Sequence, residues 1–154
     1  MAERLTQMLE KMAKTHAKML DYLATLDEAA ANARHEGDGW SARETIAHLA
    51  DAERAHRRFI QALVEGRPPA KVEGFDLDAW NAAKVAKRAQ QSLSEVLADF
   101  ERERNETLAY LPTLPDDAWE LAGDHPALGH VTVEYVARII GLHERDHLRM
   151  LTGK

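Results

Sequence analysis

Trp40-Ser41-Ala42-Arg43-Glu44-Thr45-Ile46-Ala47-His48-Leu49 is the segment from which the fold of this chain can be read. Ser41 and Glu44 have the spacing of an S-x-x-E capping box, and Trp40 is the hydrophobic residue just before the cap. A helix therefore starts at Ser41. Behind the cap, Ile46, Leu49, Phe59, Ile60 and Leu63 recur at helical spacing, and Gly66 with Pro68-Pro69 predicts the stop.

Outward from this helix the same period continues in both directions. A first helix is expected from about residue 3 to 28, with Leu5, Met8, Met12, Met19, Leu23 and Leu26 on one stripe, followed by a loop from Asn32 to Gly39. After helix two, residues 67 to 77 form a connection too long for a tight antiparallel turn and suited to a crossover. A short helix is expected over Asp78 to Ala89. Ser92 and Glu95 repeat the capping box and open helix three, whose stripe is Leu93, Val96, Leu97, Phe100, Thr107, Leu108 and Leu111, stopped by Pro112 and Pro115. A loop holding Trp119, His125, Pro126 and Gly129 follows. Thr132 caps helix four, which carries Val133, Val136, Ile139, Ile140, Met150 and Leu151. No convincing alternating run predicts a strand. Four amphipathic helices with one long crossover between helices two and three predict an all-α four-helix bundle, a single domain over residues 1–154.

With 154 residues the chain is large enough to bury a core without staples. Its net charge of −6 argues against nucleic acid or an anionic membrane as the main partner. It has no cysteine, hence neither a disulfide framework nor a thiol nucleophile of its own. Met1-Ala-Glu-Arg-Leu shows no apolar leader, and no stretch reaches membrane-spanning length. The expectation is a soluble cytoplasmic protein.

His143-Glu144-Arg145-Asp146-His147 carries the chemistry. Histidines four apart on a helix share one face, ~6 Å apart along the axis, and reach one metal ion. The string also fits the H-E-x-x-H zinc-protease pattern. The rest of the chain rejects that reading. Met150 and Gly153 occupy the places where the metzincin pattern needs Gly and His, and Leu148 to Lys154 offer no ligand. A third ligand must come from upstream.

By helical phase, His143 and His147 lie within the apolar stripe of helix four, opposite Glu134, Arg138, Arg145 and Arg149. His48 lies ~10 Å from the start of helix two, and the pair ~8 to 14 Å from the end of helix four. If these helices are antiparallel neighbours, the three imidazoles come level. From spacing alone His48 reads more readily as a structural histidine, and the level match brings the ligand reading even with it. His56 is two turns, ~12 Å, from His48 and cannot share its metal. His16 and His56 are read as core or cavity-lining residues, and His35, His125 and His130 as solvent-facing.

Gly39-Trp40-Ser41-Ala42-Arg43-Glu44-Thr45-Ile46-Ala47-His48-Leu49, Phe75-Asp76-Leu77-Asp78-Ala79-Trp80-Asn81 and His125-Pro126-Ala127-Leu128-Gly129, with helix four through His147, resemble the DinB-like family of metal-binding four-helix bundles. The resemblance covers essentially the whole chain. It implies an up-down-down-up bundle, and a three-histidine site on His48, His143 and His147 that holds a metal with open positions. It also implies a homodimer. Relatives of this kind include transferases that use bacillithiol or mycothiol and a thiol-dependent isomerase.

Two chemistries are open to such a site. Three neutral imidazoles leave the charge of a Zn, Ni or Fe(II) ion uncompensated, so that it activates either water or a thiol. The first gives a metal-dependent hydrolase with Glu144 or Asp146 as possible proton acceptors, although residues flanking a buried stripe are more often solvated. The second gives a transferase that joins a low-molecular-weight thiol to a small-molecule substrate, and this is the expected activity. A non-catalytic metal-binding stress-response protein is the third reading. Trp40, Trp80 or Trp119 lining a pocket at the metal would favour an enzyme.

Overall fold

A computed structural model describes residues 1–33 and 39–154. His35, expected to face solvent, lies outside the described residues. The helices are α1 (Ala2–Leu23), α2 (Glu28–Asn32), α3 (Ala42–Val64), α4 (Leu77–Lys87), α5 (Leu93–Tyr110) and α6 (Val133–Thr152). Helices one to four of the sequence are α1, α3, α5 and α6.

The caps explain where these helices begin. Ser41 Oγ accepts from the Glu44 N–H at 3.1 Å, and the Glu44 carboxylate accepts from the Ser41 N–H at 3.0 Å, completing the box. At α5 only the serine half of the second box forms, with Ser92 Oγ accepting from the Glu95 N–H at 3.1 Å. Glu28 reaches across from α2 and accepts from the Leu93 N–H at 3.0 Å. The expected first helix stops at Leu23 rather than near residue 28. Asp27 accepts from the Ala30 N–H at 2.8 Å and starts a separate short helix.

Part of the expected loop before helix four is a two-stranded antiparallel hairpin, β1 (Ala122–His125) and β2 (Gly129–Thr132). Gly129 turns it at φ +80°, where a side chain would be strained. Strands of four residues are too short to show a legible alternation.

Contacts along the chain give the helix directions. Residues 4, 12 and 16 of α1 meet 134, 141 and 144 of α6, so these run parallel. His48 meets His147 while Phe59 and Ile60 share a core with Val133 and Val136, so α3 and α6 are antiparallel. Arg88 bridges Asp51 of α3 and Asp99 of α5, Glu53 meets Arg104, and Arg57 meets Thr107, so α3 and α5 are parallel. The bundle is up-down-down-up, and the segment containing α4 is the crossover. Gly141 admits α1 closely, because a Cβ there would meet Met12 Cγ at 2.8 Å.

The core has two apolar clusters. Met8, Met12, Phe59, Ile60, Leu111, Trp119, Val136 and Ile140 fill one end, and Met19, Leu23, Ile46, Leu49, Val96, Phe100 and Leu151 the other. A charged layer separates them. Arg104 donates to both oxygens of Glu53, at 3.0 and 3.1 Å from Nε and 2.9 Å from Nη2, and lies 2.8 Å from Glu144 Oε2. His16 Nδ1 meets Glu144 Oε1 at 2.8 Å, and its Nε2 meets Glu101. The four bundle helices are thus tied at one height.

Removing one member of a buried charge group leaves its partners desolvated and uncompensated. Arg104→Leu is expected to destabilise the fold by ~3–5 kcal/mol, against ~1 kcal/mol for Ser41→Ala at the α3 cap. Urea denaturation of both variants checks this, and an Arg104→Leu protein as stable as the wild type would contradict the role given to the layer.

Candidate metal centre

His48 projects from the second turn of α3, and His143 and His147 from successive turns of α6, toward the groove between these antiparallel helices. The Nε2 atoms of His48 and His147 lie 3.0 and 3.1 Å from Nε2 of His143. One ligand nitrogen from each residue falls within a common span of 4.8 Å. The rings of His143 and His147 stand roughly edge-on to that of His48, with centroids 4.8 and 5.1 Å from it. Two nitrogens on a tetrahedral zinc with ~2.0–2.1 Å bonds lie ~3.3 Å apart, close to these separations. The level match expected between helices two and four is present.

Electrostatics favour the neutral, ligand-competent form. Burial, with the neighbouring His143, His147 and His56, lowers the pKa of His48 to about 2. Burial and His147 lower that of His143 to about 4. Neutral rings pointing nitrogens at one spot lack enough protons to satisfy one another, and a cation accepts the lone pairs. His48 Nδ1 has no hydrogen-bond partner among the described residues, so its ring is set by packing, with the Trp40 ring centroid 4.9 Å away. The donor set and its geometry fit a divalent metal.

The remaining histidines divide differently from the sequence expectation. His130 is solvent-facing as expected, beside Asp124. His125 is not. It is half-buried, and its Nε2 lies 3.2 Å from Nδ1 of His56. His56 lines the cavity and stays outside the triad, its pKa lowered to about 3 by burial and by the neighbouring His125 and His143. His16 sits in the charged layer; burial opposes its protonation, but Glu144 and Glu101 raise its pKa above the ordinary value.

Glu144 corrects the expectation of a solvated residue. It is fully buried and committed to Arg104 and His16. Asp146 is solvated as expected and pairs with Arg145. Sequence reasoning missed the charged layer although its spacing was visible, since Val133, Ala137, Ile140, Glu144 and Leu151 follow one helical stripe.

The triad opens on a cavity of about 950 Å³. Its walls include Trp40, Phe59 and Met150 from the bundle, Phe75 and Trp80 from the crossover, and Leu128 from the hairpin. Met150, expected in the core, is therefore a partly exposed cavity residue. Trp40 and Trp80 line the cavity, whereas Trp119 is buried in the core.

Comparison with known proteins agrees with this architecture. A Bacillus subtilis protein named "Putative metal-dependent hydrolase YfiT" is 24% identical over 97% of this chain and 83% of its own. Its solved structure, described as having an unusual four-helix bundle topology, superposes with a TM-score of 0.79 at 22% identity, over 99% of this chain and 86% of that one. A mycothiol-dependent maleylpyruvate isomerase superposes with a TM-score of 0.80 at 17% identity, over 96% of this chain and 60% of that one. The colibactin self-resistance protein ClbS, solved in complex with double-stranded DNA, superposes with a TM-score of 0.76 at 11% identity, over 96% of this chain and 93% of that one. Among the described residues no helix is long and apolar enough to cross a membrane. A profile of the DinB superfamily matches residues 11–151, and the chain belongs to that superfamily.

Proposed function

We propose that this protein is a metal-dependent enzyme that transfers a low-molecular-weight thiol to a small, largely apolar molecule, with His48, His143 and His147 as the metal ligands. The carrying observation is the convergence of three imidazole nitrogens on the wall of a large aromatic cavity. A volume of about 950 Å³ is at the upper end for ligand pockets and accommodates a thiol beside its acceptor. The chain has no cysteine, so the sulfur must arrive with a cofactor.

A divalent ion supplies a Lewis acid that lowers the pKa of a coordinated thiol or water. The chain's own residues do the rest. Trp40 holds the His48 ring in place, Ile139 lines the cavity one turn before His143, Phe59 packs against His125, and Trp80 and Phe75 offer flat surfaces to an apolar substrate. Glu144 is bound up with Arg104 and leaves no carboxylate of α6 free as a buried proton acceptor at the triad. This weakens the hydrolase reading, which the name of the Bacillus subtilis relative keeps as the alternative.

Zinc-loaded protein is expected to accelerate conjugation of 1-chloro-2,4-dinitrobenzene with at least one thiol among bacillithiol, mycothiol and glutathione, and to leave p-nitrophenyl acetate at its background rate. Ester turnover with no thiol dependence would favour the hydrolase instead.

Metal stoichiometry by native mass spectrometry checks the ligands. His48→Ala, His143→Ala and His147→Ala are each expected to lose the ion, and His56→Ala to keep it. Full retention in His48→Ala would overturn the assignment.

Acid should act on the fold as well as on the metal. His48, His56 and His143 have folded pKa values of about 2, 3 and 4, below the unfolded ~6.5, so the unfolded chain takes up protons first as pH falls. Stability is unaffected by these groups above pH ~6.5 and declines below it, by ~2 kcal/mol per histidine at pH ~5. Denaturation of metal-free protein at pH ~7 and ~5 checks this, and His56→Gln should reduce the slope by about one proton.

A further inference from the structure

We propose that His56, oriented by His125, is a second anchor for the substrate, a neutral imidazole whose Nε2–H donates to an oxygen of a molecule held at the metal centre. The inference rests on the metal-centre reading and adds to it the kind of substrate the cavity takes.

Hydrogen-bond direction fixes the proton positions. The backbone N–H groups of Ala127 and Leu128 both donate to His125 Nδ1, at 3.0 and 3.2 Å. Nδ1 is therefore an acceptor and carries no proton, which leaves the proton of the neutral ring on Nε2. That Nε2–H faces His56 Nδ1 at 3.2 Å and donates to it. His56 Nδ1 is thereby an acceptor in turn, and its own proton resides on Nε2. The hairpin turn thus dictates the tautomer of a residue on α3.

His56 Nε2 has no protein acceptor among the described residues, and the ring lines the cavity. The His56 and His143 ring centroids are 6.5 Å apart, so a compact molecule spans from the triad to this donor. A half-buried donor with its direction set in advance is suited to a carbonyl or carboxylate oxygen, and the aromatic walls suit an apolar body. The substrate class is a small aryl or alkyl molecule with such an oxygen near the group that meets the metal.

Two measurements on zinc-loaded protein test this, with phenylacetate as the probe. Long-range ¹H–¹⁵N spectra are expected to show Nδ1 unprotonated in both His125 and His56. Calorimetry is expected to show phenylacetate binding about tenfold more weakly to His56→Phe, which keeps a ring but has no donor, and within about threefold of wild type to His56→Gln, which keeps one. Zinc content is confirmed in each variant first. Binding by His56→Phe equal to wild type, a protonated His56 Nδ1, or no phenylacetate binding by the zinc-loaded wild type would overturn the proposal while leaving the metal reading in place. A wild type that holds no zinc would overturn both.

Discussion

Arg104 is the constraint around which the bundle is arranged. Its guanidinium is 2% exposed and faces two carboxylates, Glu53 on α3 and Glu144 on α6. Burying three charges costs several kcal/mol per ion unless their geometry is met, so displacing one helix against the others is disfavoured. Further pairs, Arg88 with Asp51 and Arg57 with Glu103, continue along the same α3–α5 seam. Apolar clusters at the two ends supply burial with little directional preference; the charged layer between them supplies register.

The same layer explains why the triad is suited to a metal. On the α1 side, Glu144 and Glu101 face His16 and favour its protonated form. On the cavity side, His48, His56 and His143 have one another as neighbours and are kept neutral. Histidines at a similar height thus behave in opposite ways according to whether carboxylates face them. Arg104 takes up Glu53 and Glu144, which keeps their negative charge away from the triad and its nitrogens available as ligands.

Helix starts were legible because capping is local. Ser41, Ser92 and Thr132 each cap the helix they were expected to open. The His48, His143 and His147 convergence was legible because rise per residue and an antiparallel pairing fix relative height. Glu144 was misread because its acidity was weighed above its phase, although it falls on the stripe of Ala137 and Ile140. His125 was misread for another reason. A loop has no period, and nothing in the sequence marks Ala127 and Leu128 as donors to its ring.

The topology also divides the work between helices and connections. Running α3 and α5 in the same direction requires a crossover, and that crossover brings Phe75, Trp80 and Asn81 to the cavity. The hairpin before α6 brings His125, Pro126 and Leu128 to it. The triad stands on two long helices held in register by the charged layer, where a shift of one residue would cost both the core and the ion pairs. Much of the cavity lining farther from the triad stands on segments that a bundle can alter without disturbing that register. The geometry of the triad is therefore tied to the stability of the fold, while the shape of the cavity is free to change with the crossover and the hairpin.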